Sequence, residues 1–199
     1  MRRPPFLLRQ LARDRRGGAL VEFAMVFPVM LLLGMGMCEM AYQGYMQAIL
    51  TGAVQKAGRD STIEGATTST IDAAVLQAVK NVNGNAGFVS GYPTRKSYAT
   101  FGYISPESFV DTNGNGKRDA GECYTDVNGN STWDADPGVS GNGGAGDTVL
   151  YTASITYTRL FPMSIWMGWS RTATLSASTV LKNQPWAAQA GSTPATICT

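Results

Sequence analysis

Residues 19–37 read ALVEFAMVFPVMLLLGMGM, with Glu22 as the only charged side chain. A helix over these 19 positions is about 28 Å long, close to the hydrocarbon thickness of a bilayer. Upstream, Arg2, Arg3, Arg9, Arg13, Arg15 and Arg16 stand against a single acid, Asp14. Basic residues clustered before an apolar run stay on the cytoplasmic side. The pattern predicts a basic cytoplasmic leader over 1–17, one transmembrane helix over 18–38 and an exported domain over 39–199. The formal charge of the whole chain is +2. Its basic excess lies in the leader, so it is a topology signal and gives no reason to expect a nucleic-acid partner.

Other readings of the apolar run fit less well. A cleaved secretory signal has a small-residue cleavage motif after its core, whereas Cys38-Glu39-Met40 follows here. A lipoprotein signal places a small residue before the cysteine, and here that residue is Met37. A plain signal anchor leaves Glu22 unexplained. A carboxylate within an apolar segment costs about 2.5–3.5 kcal/mol at mid-bilayer and less near the ends. Glu22 therefore either reaches interfacial water or has a charged partner. Pro28 removes one helix bond, which membrane helices tolerate.

Beyond the membrane, Cys38, Tyr42, Tyr45, Ile49, Ala53 and Ala57 recur every three or four residues. They predict that the helix continues, with this stripe facing a globular domain, until Gly58 and Asp60. A second helix is expected over 70–82. Ser69 and Asp72 read as its capping box, and Ile71, Val75, Ala78, Val79 and Val82 as its apolar face, with Gly84 as the stop. Three strands are expected over 98–104, 149–157 and 172–181, the last two with clear period-two alternation. The fold class is α+β: a long N-terminal helix packed on a small antiparallel sheet. The apolar connection Leu160-Phe161-Pro162-Met163-Ser164-Ile165-Trp166-Met167-Gly168-Trp169 either tucks into the core or forms an exposed contact tip.

The stretch Arg15-Arg16-Gly17-Gly18-Ala19-Leu20-Val21-Glu22-Phe23 resembles the processing site of type IV pilins and pseudopilins. With the Val-Glu-Phe-Ala anchor and a last strand Thr174-Leu175-Ser176-Ala177-Ser178-Thr179-Val180 running to Asn183-Gln184-Pro185, the chain resembles the TadE/TadG-like minor pseudopilins of the tight-adherence pilus. The resemblance covers the anchor and the two C-terminal strands. It implies cleavage by a prepilin peptidase between Gly17 and Gly18. Glu22 then becomes the fifth residue of the mature chain, followed by Phe23, and neutralises the Gly18 amine of a neighbouring subunit. It further implies a non-enzymatic minor subunit of a Flp-type pilus in the bacterial inner membrane, its C-terminal domain periplasmic or incorporated in an extracellular filament. The implied partners are other pilins and pseudopilins, the peptidase and the inner-membrane assembly machinery.

Residues 105–147 form an insertion outside that resemblance. Within it, 111–122 fit the calcium-loop pattern D-x-[DN]-x-[DN]-G-x5-E throughout. Calcium takes six to eight oxygens. Asp111, Asn113 and Asn115 supply side-chain oxygens, Lys117 its carbonyl, Asp119 a direct or water-mediated ligand, and Glu122 both carboxylate oxygens. Gly116 permits the sharp turn. The pattern recurs at Asp126, Asn128, Asn130, Thr132 through its carbonyl, and Asp134. There Ser131 replaces the glycine and Pro137 the closing glutamate, with Asp136 as an imperfect substitute. Long flanking helices are lacking, so the loops resemble those of dockerins and thrombospondin-type repeats. One or two structural Ca2+ ions are the expected cofactors, against the alternative of a solvated turn region that binds nothing. Cys123 and Cys198 are compatible with one disulfide in an oxidising compartment, the alternative being two free thiols.

The chain has no histidine, so the commonest general base is missing, and neither a nucleophile motif nor a phosphate loop is present. An enzyme is not expected. The alternative to a pseudopilin is a membrane-anchored extracytoplasmic calcium-binding adhesin or interaction module that keeps its leader.

Overall fold

A computed structural model describes residues 17–61, 67–161, 168–184 and 193–198. Residues 1–16 of the expected leader (1–17), the middle of the apolar connection (162–167) and Pro185 lie outside these residues.

Helix α1 runs Gly18–Ser61, 44 residues with Pro28 inside it. The chain divides into two compact units at Gly44/Tyr45. In the first unit the described residues are the N-terminal part of α1. Its apolar side chains are exposed on every side, from Leu20 at 75 % to Met37 at 72 %. Their hydropathy and number make this a helix able to cross a membrane once.

The second unit, Tyr45–Thr199, holds the core. Here α1 buries Met46, Leu50, Val54 and Ala57. This row lies one position on from the expected one over most of its length. Of the stripe read from the sequence only Ala57 is buried, Tyr45 is 53 % exposed and Cys38 is an exposed free thiol. Both rows are apolar at helical spacing, so periodicity alone gives two solutions. The choice is made by the sheet: α1 runs beside β6, the strand Thr172–Lys182, at Gln47 and at Gly58. At Gly58 the backbone of α1 comes so close to β6 that an added Cβ would sit 2.9 Å from Thr179 Cγ2. About three turns earlier, Gln47 Nε2 donates to the Ser176 carbonyl at 3.0 Å.

Helix α2 spans Thr68–Lys80 and buries Ile71, Val75 and Val79, on the expected face. The expected capping box does not form. Thr67 is the N-cap and makes no side-chain cap bond. Asp72 is instead taken by the sheet: Arg95 Nη1 and Nη2 donate to it at 3.1 and 2.5 Å, and the Tyr151 hydroxyl at 2.9 Å. A two-pronged guanidinium bond outweighs a local cap, which contributes about 1 kcal/mol.

The main sheet is antiparallel. Its strands are β1 Gly87–Phe88, β2 Thr94–Tyr98, β4 Val139–Ser140, β5 Thr148–Thr158 and β6. β5 is central. One edge pairs with β6 along all 11 residues, Thr148↔Lys182 through Thr158↔Thr172. Its other edge is shared by β1 and β2, and β4 pairs with β2 beyond. Val149, Tyr151, Ala153, Ile155 and Tyr157 are all buried, the set that period two selects. The weakest expected strand is displaced: the ladder ends at Tyr98, and Phe101–Tyr103 form a 3-10 turn. Arg95 and Lys96 disguise the true strand in a hydropathy reading, yet both are ion-paired, with Asp72 and Asp136.

A second, two-stranded sheet pairs β3, Cys123–Asp126, with β7, Ala195–Cys198. Cys123 stands opposite Cys198, and the two are joined by a disulfide. Closing a loop with a sequence separation of 75 constrains the unfolded chain. Cys198→Ser should therefore lower stability by about 2–4 kcal/mol in a urea titration. Reduction of the wild type should have the same effect and leave the variant unchanged.

Candidate functional site: two acidic loops on one short ladder

The insertion is an ordered structure. Phe109 bridges Tyr124 in antiparallel register, the Thr125 N–H donates to the Ser108 carbonyl, and the Val110 N–H donates to the Cys123 carbonyl. Residues 107–110 thus lie along β3, on the edge away from β7. The first acidic loop, 111–122, connects these two arms. The second begins at Asp126, where β3 ends.

The first loop is folded by its own acids. Asp111 Oδ1 accepts the N–H of Gly114 at 2.7 Å and of Asn115 at 3.2 Å, and its Oδ2 accepts that of Gly116 at 2.7 Å. The side-chain oxygens of Asn113 and Asn115 accept the N–H two residues on, at 3.1 and 2.7 Å. Glu122 reaches back across the loop, taking the N–H of Thr112 at 2.8 Å and of Asp119 at 2.9 Å. Asp119 Oδ2 receives the amide groups of Asn113 and Asn115, both at 2.7 Å. These donors favour the ionised carboxylates. The Gly116 N–H above all holds Asp111 below its ordinary value, and the N–H groups of Asp119 and Thr112 do so for Glu122.

The second loop repeats this conformation position by position. Asp126 Oδ1 accepts Gly129 N–H at 2.7 Å and its Oδ2 accepts Ser131 N–H at 2.8 Å. Asn128 and Asn130 accept the N–H two residues on, at 3.1 and 2.7 Å. Asp134 Oδ2 receives both asparagine amides, at 2.9 and 2.6 Å. Burial pushes the Asp126 carboxyl up, but the Ser131 and Gly129 N–H groups outweigh it and leave the carboxyl below its ordinary value. The turn residues match too: Gly114 and Gly116 have φ of 72° and 74°, and Gly129 and Ser131 have 78° and 60°. Ser131 is the one non-glycine residue with positive φ among the described residues. The loop thus keeps its backbone shape at a steric cost that glycine would not have.

Both loops present Asp and Asn oxygens at alternate positions, a donor set suited to a hard, oxygen-seeking cation. An oxygen accepting one N–H keeps a further lone pair. Among the described residues no three acids already converge into a ready ion cage. Binding would thus replace the asparagine-amide contacts to Asp119 and Asp134. Asp136 stands apart from the second loop's acids. It is ion-paired with Lys96, and the Tyr98 hydroxyl donates to it at 2.7 Å, so it does not serve as the imperfect closing ligand expected from the sequence. The sequence reading also passed over Glu107, which is 3 % exposed and takes N–H groups from the second loop. The available signal was a loop lacking its closing acid beside a glutamate with no assigned role.

At the N-terminal end, the Leu20 and Val21 N–H groups donate to the Gly17 carbonyl, so the helix starts on the Gly17–Gly18 bond. A Cβ at either glycine would meet nothing within 4 Å. Glu22 is exposed, one turn in from Gly18. Phe23 is 62 % exposed and its ring lies 5.1 Å from that of Phe27.

Replacing Ser131 with glycine relieves the strained φ without removing any side-chain bond of the loop. Ser131→Gly should therefore stabilise the folded protein by up to about 1 kcal/mol, read as a higher midpoint in a urea titration.

No curated protein and no solved structure matches the chain. Residues 17–59 match the family model described as TadE-like protein. The match covers the apolar part and most of α1 and is limited to that segment, which is similar to TadE-like proteins.

Proposed function

We propose that the chain is a minor pseudopilin-like subunit used in assembling a tight-adherence pilus, cut by a prepilin peptidase after Gly17. The observation that carries this reading is Glu22: a lone exposed acid among exposed apolar side chains, one helical turn from Gly18, in a segment that matches TadE-like proteins. Cleavage there would leave an ammonium group at a helix start, where the backbone dipole already disfavours positive charge. In a low-dielectric surrounding that amine and a neighbour's Glu22 offset each other's desolvation, whereas either alone is costly. Among the described residues nothing lies within 4 Å of a Cβ built at Gly17 or Gly18, which suits access by a peptidase. Other pilins and the inner-membrane assembly machinery are the partners this reading requires, and no step of it calls for catalysis.

The acidic loops favour a second element of the same reading, a structural calcium site in the exported domain. Asp111, Asn113, Asn115, Asp119, Glu122 and the Lys117 carbonyl are the residues that would hold an ion in the first loop. Such an ion would pin the insertion's turns and supply no chemistry. The affinity expected for an extracellular site is on the order of 10⁻⁴–10⁻³ M.

N-terminal sequencing of protein recovered from cells should begin at Gly18; mature protein that retains the arginine-rich leader would overturn the pseudopilin reading. Glu22→Ala should leave the cut intact and abolish incorporation into pili. Titrating the full-length protein in detergent with millimolar CaCl2 should raise its melting temperature, and a flat response would dismiss calcium.

A further inference from the structure

The second loop lacks a glutamate at its twelfth position, where Pro137 stands. In the first loop the twelfth residue, Glu122, makes two diagnostic bonds: Oε1 accepts the N–H of loop position two (Thr112, 2.8 Å), and Oε2 accepts that of position nine (Asp119, 2.9 Å). Positions two and nine of the second loop are Val127 and Asp134. The Val127 N–H donates to Glu107 Oε1 at 2.9 Å, and the Asp134 N–H donates to Glu107 Oε2 at 3.0 Å. Glu107 therefore occupies, atom for atom, the place that Glu122 holds in the first loop, although it comes from 19 residues before the loop instead of 11 residues after its start.

Register explains how it gets there. Phe109 faces Tyr124, so Glu107, two residues back, faces Asp126, the first residue of the second loop. Its position is fixed further by Trp133, whose indole N–H donates to the Glu107 carbonyl at 2.8 Å and whose ring meets Phe109 edge-on.

Two further observations point to a ligand. Glu107 and Asp126 are each 3 % exposed, and among the described residues neither has a cationic partner. Buried charges are ordinarily paired or coordinate a metal. The Tyr124 hydroxyl is also buried, has no hydrogen-bond partner among the described residues, and belongs to the ladder face that carries Glu107 and Asp126. A polar group buried without a partner on the ladder face that carries Glu107 and Asp126 suits a water carried by a bound cation.

We propose that Glu107 is the closing ligand of a second calcium site, completed from upstream, with Asp126, Asn128, Asn130, Asp134 and the Thr132 carbonyl. The proposal rests on the calcium reading of the first loop and extends it to a site whose own sequence is incomplete. The ladder then carries a site at each end, Glu122 closing one and Glu107 the other.

The test uses full-length protein in detergent micelles, with CaCl2 alone as the ligand in titration calorimetry. Tb3+ luminescence excited through Trp133, at position eight of the second loop, reports that loop. Wild type should bind two ions. Glu122→Gln should lose one ion and keep the Trp133-sensitised signal. Glu107→Gln should lose the other, with that signal reduced at least tenfold and the near-UV circular dichroism retained. Asp136→Asn should keep both ions. If wild type binds a single ion, lost in Glu122→Gln, the first-loop reading stands and this proposal falls; if it binds none, both fall. Loss of the Trp133-sensitised signal in Asp136→Asn would overturn the assignment of Glu107 even if Glu107→Gln did not fold.

Discussion

Apolar side chains on every side of one helix must be kept from water, and the rest of the structure follows from how α1 meets that demand. At about 25 cal/mol per Å² of exposed apolar surface, the residues between Leu20 and Met37 cannot stay in aqueous solution. Farther along the same helix the exposure ends on one face: Met46, Leu50, Val54 and Ala57 are buried in the core with β5 and β6. A bilayer or a bundle of like helices can cover the first part, and the chain's own sheet covers the second. Glu22 is the exception within the first part. Its charge makes sense where another charge meets it, which is why the assembly reading turns on that residue.

The insertion obeys a different rule. It has little apolar surface, and its order comes from carboxylates and carboxamides that satisfy backbone N–H groups. Asp111, Glu122, Asp126 and Glu107 each accept at least two of them. Turns that would otherwise cost conformational entropy with nothing in return are held by charge-assisted bonds. The two loops reach the same shape by different connectivity. One is closed by a residue that follows it in sequence, and the other by a residue brought alongside through strand pairing.

The sequence made the long helix, the second helix and the β5–β6 hairpin legible, because each has a strong period and few competing solutions. It misplaced what depends on partners far along the chain. The capping box at Ser69 and Asp72 is sound local chemistry, overridden because Arg95 and Tyr151 claim Asp72. The buried row of α1 could be read in two registers, and only the sheet chooses between them. β2 went unrecognised because its cations look solvent-seeking until Asp72 and Asp136 are seen beside them. The turn of the first acidic loop was legible from the spacing of Asp111, Gly116 and Glu122, whose side chains and backbone close it. In the second, Asp136 was the nearest acid by number, yet Glu107 is the one the ladder delivers.

The pairing of β3 with β7 has a consequence for biogenesis. Cys123 in β3 and Cys198 in β7 have a sequence separation of 75, so while the chain folds that edge stays open until both strands are in place. Until then β3 displays a raw thiol and an unzipped strand, both ready handles for folding catalysts and proteases. Once closed, the bridge holds the two sides of a chain nicked between them in one covalent piece.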